Sequence, residues 1–116
     1  MADDPRIVPI KVKAPHGARV FEVTWKDSVT SRIEHKVLRG YCPCAVCQGH
    51  HGVTRYVAGG NQELMKVERV GNYALGLTWA DGHNGGIYTF SYVRRLGDLV
   101  AEMGIDALCA LEELPP

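Results

Sequence analysis

The stretch LMKVERVGNYALGLTW, residues 64–79, decides how this chain is read. Two runs, 64–70 and 73–79, flank Gly71-Asn72, a two-residue hairpin signal. The second run sets Tyr73, Leu75, Leu77 and Trp79 on one face, the alternation of a half-buried strand. A glycine-rich turn over 80–86 follows, then a short strand over 87–90. From Ser91 the period changes. Tyr92, Val93, Leu96, Leu99, Val100 and Met103 share one helical face, with Ser91 placed to cap its start and Gly104 to stop it. Asp106 is placed to cap a last short helix bearing Leu108, Leu111 and Leu114.

Upstream of the hairpin the same grammar appears. Residues 7–13 alternate, with Val8, Ile10 and Val12 on one face and Lys11 and Lys13 on the other, and Pro9 marks an edge strand. Residues 20–25 form a second strand with Phe21, Val23 and Trp25 on one face, and 31–36 a weaker third. His35 falls in that third strand. Trp25-Lys-Asp-Ser, followed by Ile33, Val37, Leu38 and Arg39, is matched by Trp79-Ala-Asp-Gly, followed by Tyr88, Tyr92, Val93 and Arg94. The second copy has one more residue in its turn. Two copies are too few for a solenoid and indicate pseudo-symmetry inside one domain. The expectation is an α+β fold: a small antiparallel or mixed sheet, one main C-terminal helix packed on it, and a metal-binding loop. A chain of 116 residues makes one domain over 1–116, with its core over 6–104.

The region 39–60 is rich in glycine and cysteine and has no period, which is long for a loop with nothing to organise it. Cys42-Pro43-Cys44-Ala45-Val46-Cys47 brings three thiols within six residues. Thiolates are soft donors that select zinc, copper(I) or iron–sulfur clusters, and a structural zinc needs a fourth ligand, cysteine or histidine. Cys109, His35, His50, His51 and His83 compete for that place. Cys109 reads as a buried core thiol among apolar neighbours, and His35 as a packed strand residue. His50 and His51 follow the cysteines closely, while His83 is distant in sequence.

The blocks carrying these residues resemble the N-terminal domain of gamma-butyrobetaine hydroxylase-like proteins. The resemblance covers about 9–96. It rests on Trp25-x-Asp27, on Leu38-Arg39 leading into Cys42-Pro43-Cys44-Ala45-x-Cys47, on Val70-Gly71-Asn72-Tyr73-Ala74-Leu75, and on Trp79-x-Asp81-Gly82-His83 continuing to Gly86-Ile87-Tyr88-Thr89. It implies one zinc ion (Zn2+) held by Cys42, Cys44, Cys47 and His83. Ser28 stands where the family often has glycine, and Phe90 where tryptophan is frequent.

Thirteen basic and thirteen acidic side chains cancel, which gives no steering toward nucleic acid or an anionic membrane. No signal peptide or transmembrane span is visible, so the expected address is cytoplasmic, where thiols stay reduced. No nucleotide-binding glycine loop and no nucleophile elbow occur. No histidine has an acidic residue two positions on, so the usual half of an iron(II) oxygenase triad is missing. Three cysteines and a histidine fill a tetrahedron, which suits structure rather than catalysis. The expected function is therefore a non-catalytic, zinc-bearing accessory domain that docks on a protein partner. Its surface would be formed by Tyr41, Gly49, His50, His51 and the Asn84-Gly85-Gly86 turn. Iron–sulfur cluster handling and redox sensing by the thiols remain alternatives.

Overall fold

The computed structural model describes residues 4–14, 19–42, 63–80, 82 and 86–111. Asp4 opens the described chain by accepting a hydrogen bond from the Arg6 backbone N–H at 3.0 Å, capping a 3-10 turn over Pro5–Ile7. Strands β1 (Pro9–Lys13), β2 (Val20–Trp25) and β3 (Thr30–Glu34) form one antiparallel sheet in the order β1-β2-β3. A short helix α1 (His35–Gly40) follows directly. Strands β4 (Leu64–Val70), β5 (Ala74–Trp79) and β6 (Gly86–Thr89) form a second antiparallel sheet in the order β4-β5-β6. It leads into α2 (Phe90–Met103) and α3 (Ile105–Cys109). The fold is α+β, with its strands divided between two sheets.

The weak repeat in the sequence is the organising feature of the molecule. Trp25 pairs with Pro9, and Trp79 with Leu64. Val23 pairs with Ser31, and Leu77 with Gly86. The first strand of each sheet carries a register shift at the same place, between Pro9 and Lys11 in β1 and between Leu64 and Lys66 in β4. A bulge at an edge twists the strand and interrupts the row of free backbone groups that another chain would pair with. The apolar face expected for β1 is not a core face: Ile10 is 64% and Val12 40% exposed, and Lys11 and Lys13 on the other face are exposed too, as suits an outer strand covered on neither side.

The tight turns correspond too. Ser28 has φ 73° and Gly82 φ 85°, at matching places after the two tryptophans. Ser28 is the one non-glycine residue with positive φ among those described. The family's glycine at that position has a steric reason, since a Cβ in the left-handed region crowds the following carbonyl.

Several boundaries differ from the sequence reading. The hairpin turn is Gly71-Asn72-Tyr73, three residues long, because Val70 pairs with Ala74. Gly71 takes φ 56°, and the Tyr73 carbonyl accepts from the Phe90 N–H at 2.8 Å, so Tyr73 is held by the helix start and lies outside the strand. Helix α2 begins at Phe90, and its cap is Thr89, which accepts from the Tyr92 N–H at 3.1 Å. Ser91 is inside the helix. Gly104 ends it as expected, with φ 82°, but it also precedes α3, whose first turn contains Asp106. His35 is the first residue of α1, not a strand residue, and it is buried.

The core lies between the sheets and α2. Phe21, Val23, Trp25 and Ile33 from the first sheet meet Leu75, Leu77, Trp79 and Tyr88 from the second, with Val93 and Leu96 from α2 and Leu108 from α3. Trp25 packs edge-on against Phe90, with ring centroids 6.4 Å apart, and Trp79 packs edge-on against His35 at 5.8 Å. Each tryptophan thus meets the first helical residue of the opposite half. Arg94 of α2 binds the Asp27 carboxylate at 3.0 Å and also reaches Asp98 and the Arg6 carbonyl, tying the first tryptophan turn to the second half. Arg39 holds the matching position in α1, and the matching acid, Asp81, lies outside the described residues.

Replacing Ser28 by glycine should stabilise the protein by about 0.5–1 kcal/mol, since relief of the left-handed Cβ clash exceeds the entropy cost of glycine. Urea denaturation at unchanged m-value measures it.

Candidate metal centre

Helix α1 is six residues long, and the residues that end it deliver Cys42. The Tyr41 N–H donates to the Val37 carbonyl at 2.9 Å and the Cys42 N–H to the Arg39 carbonyl at 3.3 Å, so the last turn closes tightly. Two carbonyls at this end accept from tyrosine hydroxyls of the second half. Tyr88 Oη donates to the Leu38 carbonyl and Tyr92 Oη to the Tyr41 carbonyl, each at 2.6 Å. Tyr41 Oη donates in turn to the Leu108 carbonyl at 2.6 Å. The backbone leading into Cys42 is therefore held against β6, α2 and α3 by tyrosine hydroxyl clamps.

Cys42 is buried, and its side chain faces the start of β6. A Cβ placed on Gly86 would lie 2.9 Å from Cys42 Sγ and 2.7 Å from Tyr88 Cε1. Glycine at 86 is what lets the sulfur reach the strand. In the first half the same juncture is built the other way round. There the strand supplies the side chain, Ser31, and the helix supplies the glycine, Gly97, whose Cβ would lie 2.6 Å from Ser31 Cβ. Ser31 Oγ accepts from Trp25 Nε1 at 2.7 Å. Gly86, in the place of Ser31, offers no acceptor, and Trp79 Nε1 is buried with no hydrogen-bond partner among the described residues.

Of the residues named from sequence, Cys42 lies in the described structure. Cys44, Cys47, His50, His51 and His83 lie outside the described residues. Cys109 is on α3, partly exposed and packed against the core. His35 is buried and packs edge-on against Trp79. Two residues assigned to the docking surface belong to the interior. Tyr41 is 0% exposed, because its ring fills the space under α3 and its hydroxyl is used there. Gly86 is also buried, beneath Cys42 and Tyr88.

Burial pushes the Tyr92 hydroxyl above the ordinary phenol range, and negative charge on Cys42 and Tyr41 pushes it the same way. Tyr92 therefore stays a donor to Tyr41 throughout the physiological range. Sequence periodicity marks Tyr92 as an apolar-face position, and the internal repeat matches Tyr88 with Ile33. What it did not show was that their hydroxyls clamp the end of α1. Buried tyrosine hydroxyls need acceptors, and unpaired carbonyls at the end of a helix are the nearest supply.

An α+β repeat with a buried cysteine set on the rim of the second tryptophan turn is the structural class. The model of the family described as gamma-butyrobetaine hydroxylase-like, N-terminal, matches residues 12–94, and the chain belongs to that family. It is similar to a crystal structure of a protein of unknown function in family DUF971 from Acidithiobacillus ferrooxidans ATCC 23270. That likeness has 40% identity and a TM-score of 0.64, covering 82% of this chain and 98% of the other. Two proteins solved by NMR in solution share the fold. One has 24% identity and a TM-score of 0.69, covering 94% of this chain and 83% of the other. The second has 25% identity and a TM-score of 0.63, covering 89% and 85%. No curated protein matches the chain. Among the described residues, no helix is long and apolar enough to cross a membrane.

Removing the Tyr92 hydroxyl with Tyr92→Phe should cost about 0.5–1.5 kcal/mol near neutral pH, the worth of one intramolecular hydrogen bond. The raised phenol contributes its stability in full below the unfolded value of about 10 and loses it as pH rises toward the folded value. Wild-type stability should therefore fall above about pH 10 more steeply than that of the phenylalanine variant, as read by denaturation across alkaline pH. Gly86→Ala should cost about 1–3 kcal/mol by overpacking Cys42 and Tyr88, read by thermal or urea unfolding.

Proposed function

We propose that this domain holds one structural zinc ion through Cys42, Cys44, Cys47 and His83 and presents the fixed loop to a protein partner, without catalysing a reaction itself. The observation that carries the reading is the contact of Cys42 Sγ with Gly86. Gly86 stands three residues after His83 in the chain. Three extended residues span at most about 10 Å, so chain connectivity alone keeps His83 within that radius of a strand position that Cys42 touches. Cys44 and Cys47 are tethered to Cys42 even more closely. Neither His50 nor His51 has such an anchor in the second half.

The donor set suits the ion. Three thiolates and an imidazole complete a tetrahedron with no open position, which favours a structural role over polarising a substrate. The buried sulfur beside Gly86 and the unpartnered indole N–H of Trp79 agree with a site built to hold a charged thiolate, since such a group needs donors around it. Zinc would supply much of the order of the glycine- and cysteine-rich stretch 39–60, which carries few apolar side chains. With Tyr41 and Gly86 buried, docking falls to Gly49, His50, His51 and Asn84-Gly85. The balanced charge favours a protein over nucleic acid, and a cluster of cysteines read as metal ligands suits a reducing, cytoplasmic setting.

Protein purified without a histidine-rich tag should contain about one zinc per chain and be colourless. A brown preparation with visible absorption would indicate an iron–sulfur cluster instead. Metal loss driven by peroxide would indicate thiol sensing. His83→Ala should lower zinc affinity at least about tenfold, while His50 and His51 changed together to alanine should hold zinc but lose the partner in native pull-downs. The opposite ranking of the histidines would overturn the ligand assignment, and a folded, metal-free protein would overturn the zinc reading.

A further inference from the structure

The β4–β5 hairpin meets the start of α2 at a cleft of about 480 Å3, a size within the roughly 300–1,000 Å3 typical of small-molecule sites. Ile7, Val8, Phe90 and Tyr73 give the cleft apolar surface, and Arg69 gives it a cation. The register of β4 sets Val67 opposite Leu77 and Arg69 opposite Leu75, so Arg69 falls on the side of the sheet that carries core residues. An apolar residue would ordinarily stand there. The guanidinium is nonetheless held in place. Its Nε donates to the Gly71 carbonyl at 3.2 Å, and its Cζ lies over the Phe90 ring, 5.8 Å from the centroid. Arg6, Arg32 and Arg94 each pair with a carboxylate, whereas Arg69 pairs with none among the described residues.

Tyr73 is fixed in a comparable way. Its carbonyl accepts from the Phe90 N–H at 2.8 Å, and its ring lies back over Gly71, where a Cβ would meet Cδ1 and Cε1 at 3.2 Å. The side chain is still 57% exposed. A rigid aromatic wall beside an oriented guanidinium loses little entropy on meeting a ligand. We infer that the cleft binds a small carboxylic acid with an apolar body, its carboxylate on Arg69 and its body against Tyr73, Phe90, Ile7 and Val8. With Nε engaged, the two terminal nitrogens of Arg69 remain to meet both oxygens of a carboxylate. The Asp4 carboxylate also lines the cleft, where it repels a doubly charged phosphate more strongly than a singly charged acid. None of these residues is a proposed zinc ligand, so cleft and metal centre can be tested apart.

Sodium hexanoate and sodium phenylacetate are titrated separately into the full chain, with amide and arginine Nε–H signals followed by nitrogen–proton correlation. Each acid should produce saturable shifts at Asn72, Tyr73, Ser91 and the Arg69 Nε–H, with a Kd of about 1 mM or tighter. Hexylamine, which carries a similar apolar chain and the opposite charge, should give no saturable shift there, and neither should inorganic phosphate. Arg69 is exposed, so Arg69→Met should keep the thermal midpoint of the wild type while weakening both acids at least about tenfold. No saturable shift with either acid, or shifts that map away from the cleft, would overturn the inference. So would an equal response to hexylamine or phosphate, or unchanged affinity in the Arg69→Met chain.

Discussion

Everything in this molecule hangs on two crossed aromatic contacts, Trp25 on Phe90 and Trp79 on His35. Among the described residues the sheets share no ladder, so backbone pairing does not join these strands as it would in a single sheet. Side chains do that work. Each indole is buried by the helix start of the other half, and each helix start is fixed by the strand that precedes it. Removing a buried aromatic of this size costs about 3–5 kcal/mol in a typical core, a large share of the stability of a domain this small. The Arg94–Asp27 pair, with side chains only 12% and 21% exposed, and the tyrosine hydroxyls add direction to what the rings supply in area.

Much of this was legible in the residues, and what was missed shares a cause. The strands around both tryptophans, the long helix, its glycine stop and the α+β class follow from periodicity, because burial on one face imposes it. Periodicity is blind to a shift of one residue. It read Gly71-Asn72 as a two-residue turn, whereas Tyr73 is drawn out of β5 by its carbonyl's bond to the start of α2. It read His35 and Phe90 as strand residues, because a helix that begins directly after a strand leaves no turn signal between them. It placed Tyr41 on the surface because a tyrosine beside glycines and cysteines looks like a loop residue, and nothing local announces an acceptor at Leu108. Of the site, the three-cysteine spacing was readable. The relation of Cys42 to Gly86 was not, since it depends on how one half is laid on the other.

The halves diverge where chemistry would be expected. One continues its helix for fourteen residues, and the other stops after six and turns Cys42 inward. One fills the strand–helix juncture with a serine that satisfies its tryptophan, and the other fills it with sulfur. A duplicated scaffold thus keeps its packing rules in both copies while one copy exchanges a neutral hydroxyl for a soft donor. Gly97 and Gly86 mark the cost of each arrangement, since either position closes if it gains a Cβ.

The clamps between the halves also set the order in which the chain can assemble. The bonds from Tyr41, Tyr88 and Tyr92 and the Arg94–Asp27 pair close separations of 50 to 67 residues, whereas hairpin pairing inside each sheet closes far shorter ones. Long closures lose more chain entropy before any contact repays it, so the hairpins form early and the mutual docking of the halves comes last. Until that step each hairpin carries a tryptophan with nothing to cover it. The slow event in folding is therefore also the one that brings Cys42 to its strand.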